Sequence, residues 1–378
     1  MAARSWHRAT AGADRRPQAP APHPSPRPTT GGTVWAWAPH FDAPAGSRPE
    51  GPVPGWTDVV SIADTGFTTV AVRADGTAWS YGTNVGGSLG HGFLERRHVY
   101  RPGPVTGIDD ARAVYGNGPT FYVLRGDGTV TAWGHDRFLV NGGRREGRGG
   151  VPVPRRVPGT GDVVAMGPGR LNAFVLRSDG RVRGWGVNIT SVLGDTRGTR
   201  PTTIARLRGV AGVASAGGAV VAVTADGRVR AWGSNAHGLL GSEPLGGRRG
   251  RPVLVAGLRD VVQVAGGSDV AYALDREGVV RAWGRGASGA LGDGDTSQHA
   301  SAGRVRVDGL PEIRRIAAFG LTGLALDTDG GLWGWGSGLG LGRYGADDAG
   351  RRPVRIPLPG PALDLSGRHV VLDGAAPR

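Results

Sequence analysis

Arginine recurs in this chain on one kind of segment, the stretch between a Leu-Gly pair and the next proline. The copies are Arg96 and Arg97, Arg144 and Arg145 with Arg148, Arg197 with Arg200, Arg248 and Arg249 with Arg251, and Arg351 with Arg352. A guanidinium stays charged and offers a planar fork of donors, so clusters of this kind suit carboxylates and phosphates. The blander reading is that they bond nearby carbonyls or acids, as Glu146 and Asp195 would allow. Reaction chemistry has thinner support. Residues 86–90 spell G-x-S-x-G, and residues 284–289 and 340–345 spell G-x-G-x-x-G. Neither pattern sits where a buried parallel strand feeds a helix, the context that makes it a nucleophile elbow or a phosphate cradle. The nine histidines form no H-x-H or H-x-x-x-H pair, and Asp293/Asp295 and Asp347/Asp348 lack a calcium-loop frame. Without cysteine there is no thiolate site and no disulfide framework. No metal or cofactor is expected, no set of acid, base and nucleophile converges, and the predicted role is not enzymatic.

The formal charge is +14, and all 45 basic residues are arginine. The absence of lysine reads as coding bias, but bias chooses the cation and does not explain its surplus over 31 acids. Residues 1–30 hold five arginines against Asp14 and are rich in proline, so they are predicted to be a disordered tail. Most of the surplus therefore belongs to residues 31–378, which implies an acidic protein surface as the favoured partner and a nucleic acid as a further one. The first residues carry no apolar run of secretory length, and no later run could span a bilayer. A cytoplasmic, monomeric protein with no membrane partner is expected, or a secreted one if the start is misassigned.

The elements that must position these residues are legible in a repeat. An aromatic anchor returns at Trp37, Tyr81, Trp133, Trp185, Trp232, Trp283 and Trp335, at intervals of 44 to 52 residues. Each copy usually follows Asp-Gly or Glu-Gly, and before that come two short apolar runs such as 59–63 and 69–74. Short runs with turn residues between them at a fixed long period describe an all-β repeat architecture. A primed two-residue turn at Asp-Gly is predicted to join the second run to the aromatic strand. In TVTAWG, Val130, Ala132 and Gly134 share one face and Thr131 and Trp133 the other, so the strand should be covered on both sides. The anchors are read as packing between neighbouring sheets, whereas Trp56, in a loop after Pro54-Gly55, is the best candidate for an exposed recognition aromatic. The first copy lacks its two leading runs and residues 361–374 supply two runs without an aromatic strand. Pairing the two halves would close seven sheets into a ring and remove free edges.

The repeat resembles the regulator of chromosome condensation (RCC1) family. Asp226, Gly227, Val229, Trp232, Gly233, Asn235, Gly238, Leu240 and Gly241 follow its pattern. Asn84 and Asn188 repeat the asparagine, and Leu89-Gly90, Leu193-Gly194 and Leu291-Gly292 the later pair. The resemblance implies a seven-bladed β-propeller over residues 31–378. The family's frequent histidine is replaced by Thr68, Thr120, Asn172, Ala219, Val270, Thr322 and Arg368, and Asn141-Gly142 stands where Leu-Gly should. The founding member is a nucleotide exchange factor for a small GTPase and binds nucleosomes, and a similar propeller inhibits β-lactamase. GTPase regulation and enzyme inhibition are thus alternatives to the preferred reading, a protein-binding scaffold that docks its partner through a basic loop face.

Overall fold

The computed structural model describes residues 31–38, 50–135, 149–169, 171–194, 198, 200–204, 207–242, 245–295, 305–339, 341 and 350–374. The predicted tail, 1–30, lies outside them. The described strands form seven four-stranded antiparallel sheets. Blade 1 is built from Val59–Asp64, Thr68–Arg73, Ala78–Thr83 and His98–Pro104, and each blade from 2 to 6 repeats this order within 111–156, 163–203, 210–254, 261–306 and 313–356. Blade 7 joins Ala362–Ser366 and His369–Leu372 to Thr33–Ala36 and Gly51–Pro52. Thr33, Val34, Trp35 and Ala36 face Leu372, Val371, Val370 and His369 in register. Innermost strands of neighbouring blades touch all the way round, so the ring is shut by hydrogen-bonded backbone from both halves of the split repeat. Among the described residues no helix is long and apolar enough to cross a membrane.

The core is divided. Buried apolar side chains fall into seven clusters, one at each junction between blades. The six anchor tryptophans are fully buried there, as expected. Among the described residues, the indoles of Trp133, Trp232, Trp283 and Trp335 also bind the preceding blade, donating to the carbonyls of Ser88, Val192, Leu239 and Ala290 at 2.9, 2.7, 3.0 and 3.2 Å. Those carbonyls lie just before the Leu-Gly pairs. At Gly90 (φ +72) a Cβ would come within 2.9 Å of the Trp133 indole nitrogen, so the glycine is required by the close approach as well as by the backbone. Val130–Gly134 is buried at every position, as the two-sided pattern requires.

One local expectation needs correction. The Asp-Gly hairpins are not primed two-residue turns. Arg73 carbonyl accepts from Gly76 N at 3.0 Å and Arg73 N donates to Thr77 O, which makes a three-residue loop with the glycine alone at positive φ. Asp75 instead accepts from the Thr77 amide and hydroxyl, and these bonds hold its carboxyl below the usual range. The missing family histidine also has a structural successor. Thr68, Thr120 and Thr322 lie at or next to the start of a second strand and donate to the carbonyls of Thr83, His135 and Ser337 at 2.6 to 2.7 Å, fastening it to the end of the third.

Two buried phenols give the fold an alkaline limit. Tyr272 donates to Ala290 O at 2.6 Å, and Tyr81 meets His369 Nε2 at 2.5 Å. Burial pushes both hydroxyls far above their ordinary 10.0, with the Asp64 charge adding to the effect at Tyr81. A folded pKa above the unfolded one favours folding below pH 10 and loses that advantage as pH climbs beyond it. With no lysine in the chain, tyrosine dominates this window. The thermal midpoint should therefore hold steady from pH 7 to about 9 and fall from about pH 10 upward. Calorimetry of Tyr81→Phe/Tyr272→Phe should show a shallower alkaline fall, and an unchanged slope would reject the assignment.

Candidate functional site

The recurring asparagine shapes the loops that carry the arginines. Asn84, Asn188 and Asn235 accept through Oδ1 from the amides of Leu89, Leu193 and Leu240 at 2.8 to 3.1 Å. Their Nδ2 groups donate to loop carbonyls, those of Phe93 and Glu95 for Asn84, Gly194 for Asn188 and Ser242 for Asn235. Each loop is thus tied to the end of the third strand, and the chain then enters the outermost strand beside it. Gly82 and Thr83 pair with Val99 and His98, and Gly233 and Ser234 with Arg249 and Arg248. Arg96, Arg97, Arg200, Arg248, Arg249, Arg251, Arg351 and Arg352 consequently lie at or near the start of outermost strands, on the same face of the ring, and all are exposed. Arg144, Arg145, Arg148 and Arg197 lie outside the described residues.

The two faces differ in how their arginines are occupied. On the face of the Asp-Gly hairpins, Arg125 meets Asp109 and Asp110 at 2.9 and 2.6 Å, Arg177 meets Asp162 at 3.1 Å, and Arg228 meets Asp226 at 3.5 Å. On the loop face, Arg96, Arg97, Arg200, Arg249 and Arg251 make no ion pair among the described residues. Arg97 lies over Phe93 at 4.1 Å, Arg248 donates to Ile189 O across the junction of blades 3 and 4, and Arg352 stands 3.7 Å from Asp308. Exposed apolar side chains accompany them, Leu94, Ile189 and Leu245. These were not legible beforehand, because a single apolar residue in a loop carries no periodic signal.

Trp56 corrects an expectation. It is 1% exposed and packs edge-on against Tyr81 at 5.1 Å, in the cluster shared by blades 7 and 1. It fills the closing junction and is not a recognition aromatic. Ser88 of the G-x-S-x-G run is equally internal, bonded to Thr68 Oγ1 at 2.7 Å and to Thr83 O.

The structure does assemble an acid, an imidazole and a hydroxyl that sequence reading kept apart. At the closing junction Asp64 Oδ2 lies 3.3 Å from His369 Nδ1, whose Nε2 meets Tyr81. Asp64 also accepts from the Arg368 and Gly66 amides at 2.7 Å, and the Arg368 guanidinium lies 3.9 Å away. Burial pulls Arg368 below its ordinary value, with Asp64 opposing. His369 and the Asp64 side chain are fully enclosed, so the set faces the seam between blades and offers no open cleft. A second buried pair, Arg315–Asp364 at 2.7 Å, joins blade 6 to blade 7. Among the described residues no cluster of three or more acidic or histidine side chains could hold a metal ion.

Comparison with known proteins agrees with this geometry. The family model for the regulator of chromosome condensation (RCC1) repeat matches residues 226–274. The mitochondrial RCC1 domain-containing protein RUG3 of Arabidopsis thaliana is 28% identical over 75% of this chain, and the match spans 66% of RUG3. The human E3 ubiquitin-protein ligase HERC2 is 30% identical over 80% of this chain, which spans only 6% of HERC2. Prp20p of Saccharomyces cerevisiae superposes with a TM-score of 0.75 at 22% identity, covering 91% of this chain and 92% of its own. Human WBSCR16 superposes at 0.72 with 23% identity, covering 90% and 98%.

Proposed function

Because the chain is a seven-bladed propeller of the RCC1-repeat family, we propose that it is a non-enzymatic binding module that docks a macromolecule through its loop face, with an acidic protein surface as target. The observation that carries this reading is a contrast between faces: Arg125, Arg177 and Arg228 at the hairpins are paired with aspartate, whereas most described loop positions make no ion pair among the described residues. Unpaired, exposed cations on equivalent loops sum to a field that steers an acidic partner, and the neighbouring Ile189 and Leu245 supply apolar contact. The structure of Prp20p was described with its binding to Gsp1p and histones, and yeast RCC1 has been seen bound to Kap60. Protein partners of these relatives support a protein-binding role here. The protein acts in the cytoplasm as a monomer in this reading, without a membrane partner.

The test is the variant Arg248→Ala/Arg249→Ala/Arg251→Ala against immobilised poly-L-glutamate and against the proteins retained from a host extract. At low salt, retention should fall about tenfold or more, since three steering charges are lost, and physiological salt should shrink the difference. Unchanged retention would remove the loop face from the account.

A further inference from the structure

The innermost strands enclose an axial cavity of about 590 Å3 that partner docking does not use. Through Gly116, Asn117, Ser215 and Gly266 it is continuous with a second space that opens at the turns on the loop face. One register position, just after the bulge in each innermost strand, sets the character of the wall: Ser61, Ala113, Ala165, Gly212, Gln263, Arg315 and Asp364. Where this residue is long enough or polar enough, it reaches the next blade. Ser61 Oγ accepts from Val114 N at 3.1 Å, Gln263 bonds both N and O of Ile316 at 3.0 and 2.8 Å, and Arg315 meets Asp364. Ala113, Ala165 and Gly212 have no atom for that bond. By register, the strand edges at Met166, Val213 and Val264, which all line the cavity, are left without this side-chain partner. Two residues farther along, the ring is Ala63, Tyr115, Gly167, Ala214, Ala265, Ala317 and Ser366, small everywhere except at Tyr115, so space is kept open.

The charges in this space are unequal. Arg112, Arg315 and Asp364 line it, and Arg314, with Arg315, lines an adjoining pocket of about 200 Å3 between the same innermost strands. Arg314 and Arg315 flank the one carboxylate, Asp364, and Arg112 lines the same space from blade 2. Burial, and then the charge of Arg315, hold Arg314 below its ordinary value against the opposing pull of Asp364 and Asp327. Asp327 spends its carboxylate on the Gly331 amide and the Trp333 indole. An apolar wall with a few convergent polar groups, at this volume, describes a small-molecule site, and the excess positive charge selects an anion. We propose that the axial cavity binds a small organic carboxylate, with the carboxylate at the Arg112–Arg315 end and an apolar body along Ile62, Val114, Val213 and Ile316. The proposal is independent of the docking face.

Calorimetric titration of the full chain with octanoate tests it. One saturable site is expected, with 1-octanol bound at least about tenfold more weakly, the factor that about 1.4 kcal/mol of charge recognition supplies. Arg112→Gln, an exposed position outside the buried pairs, should weaken octanoate by a similar factor at an unchanged thermal midpoint. Ala317→Phe should abolish binding by filling the space, and Ala113→Leu serves as a second filler if the first fails to fold. Absence of a saturable site, equal binding of octanoate and 1-octanol, or full binding in a folded filler variant would overturn the proposal.

Discussion

Removing residues 361–378 should leave a chain without a cooperative unfolding transition. The deletion takes away Ala362–Ser366 and His369–Leu372, two of the four strands of blade 7, and leaves Thr33–Ala36 without its inner neighbour. Ala362, Leu365, Val370, Val371 and Leu372 are all buried, and at roughly 1.5 to 3 kcal/mol for each large side chain their loss is comparable to the roughly 5 to 15 kcal/mol that stabilises a typical domain. Asp64 and Arg315 would also lose their buried partners. Scanning calorimetry and near-ultraviolet circular dichroism measure the outcome, and addition of the 361–378 peptide in trans should restore part of the signal. A truncated chain that melts cooperatively near the full-length midpoint would show that ring closure contributes little.

The second large effect is expected at Asp64. Its carboxylate receives the Gly66 and Arg368 amides and His369 Nδ1, and it faces the Arg368 guanidinium in a site closed to water. Replacing it with alanine strands a buried cation and two amides, which typically costs about 3 to 5 kcal/mol. For a chain of this size that corresponds to a fall of about 4 to 6 °C in thermal midpoint. Asp64→Asn keeps one acceptor and should fall between the two, because geometry survives and charge does not. Amide exchange at Gly66 and Arg368 should accelerate in both variants. A midpoint within about 1 °C of the parent would mean that the network balances its own desolvation and only fixes register.

The charged seams suggest how the split blade finds its place. Among the described residues, the ion pairs with the least exposed side chains flank blade 7: Arg315–Asp364 on one side and Asp64 with Arg368 and His369 on the other. Apolar surfaces would tolerate a slipped register, whereas a displaced buried charge would be stranded. The last blade to close thus carries the strongest penalty for closing wrongly.

Much of this architecture was legible in the chain because it repeats. The anchors at Trp133, Trp185, Trp232 and Trp283 recur with their glycines, so one physical role, packing between sheets, explains all of them. The incomplete first copy and the unpaired runs at 361–374 gave the closure. Trp56 failed for the complementary reason: it occurs once, beside the split, and only the register of blade 7 shows that Val34, Val53 and Tyr81 surround it. The Asp64–His369–Tyr81 network was invisible in the same way, since His369 lies 305 residues from Asp64 and 288 from Tyr81 in sequence. The arginine loops were found by spacing, but the lack of ion pairs at Arg96, Arg97, Arg200, Arg249 and Arg251 among the described residues was not, because pairing depends on which acids share their face. The Asp-Gly motif predicted a hairpin correctly and its turn type wrongly, since the Thr77 side chain and the extra residue decide between two loops that both want glycine.

The claim that a partner reads one face of the ring is tested most directly by comparing charge reversals matched in number. Arg248→Glu/Arg249→Glu/Arg251→Glu changes the loop face, and Arg156→Glu/Arg181→Glu/Arg228→Glu changes exposed arginines beside the hairpin aspartates. Retention of the host partner is measured for both across a salt series. The loop-face variant should lose the partner and its salt dependence while the hairpin-face variant keeps both. Equal losses in the two variants, or none in either, would contradict the account.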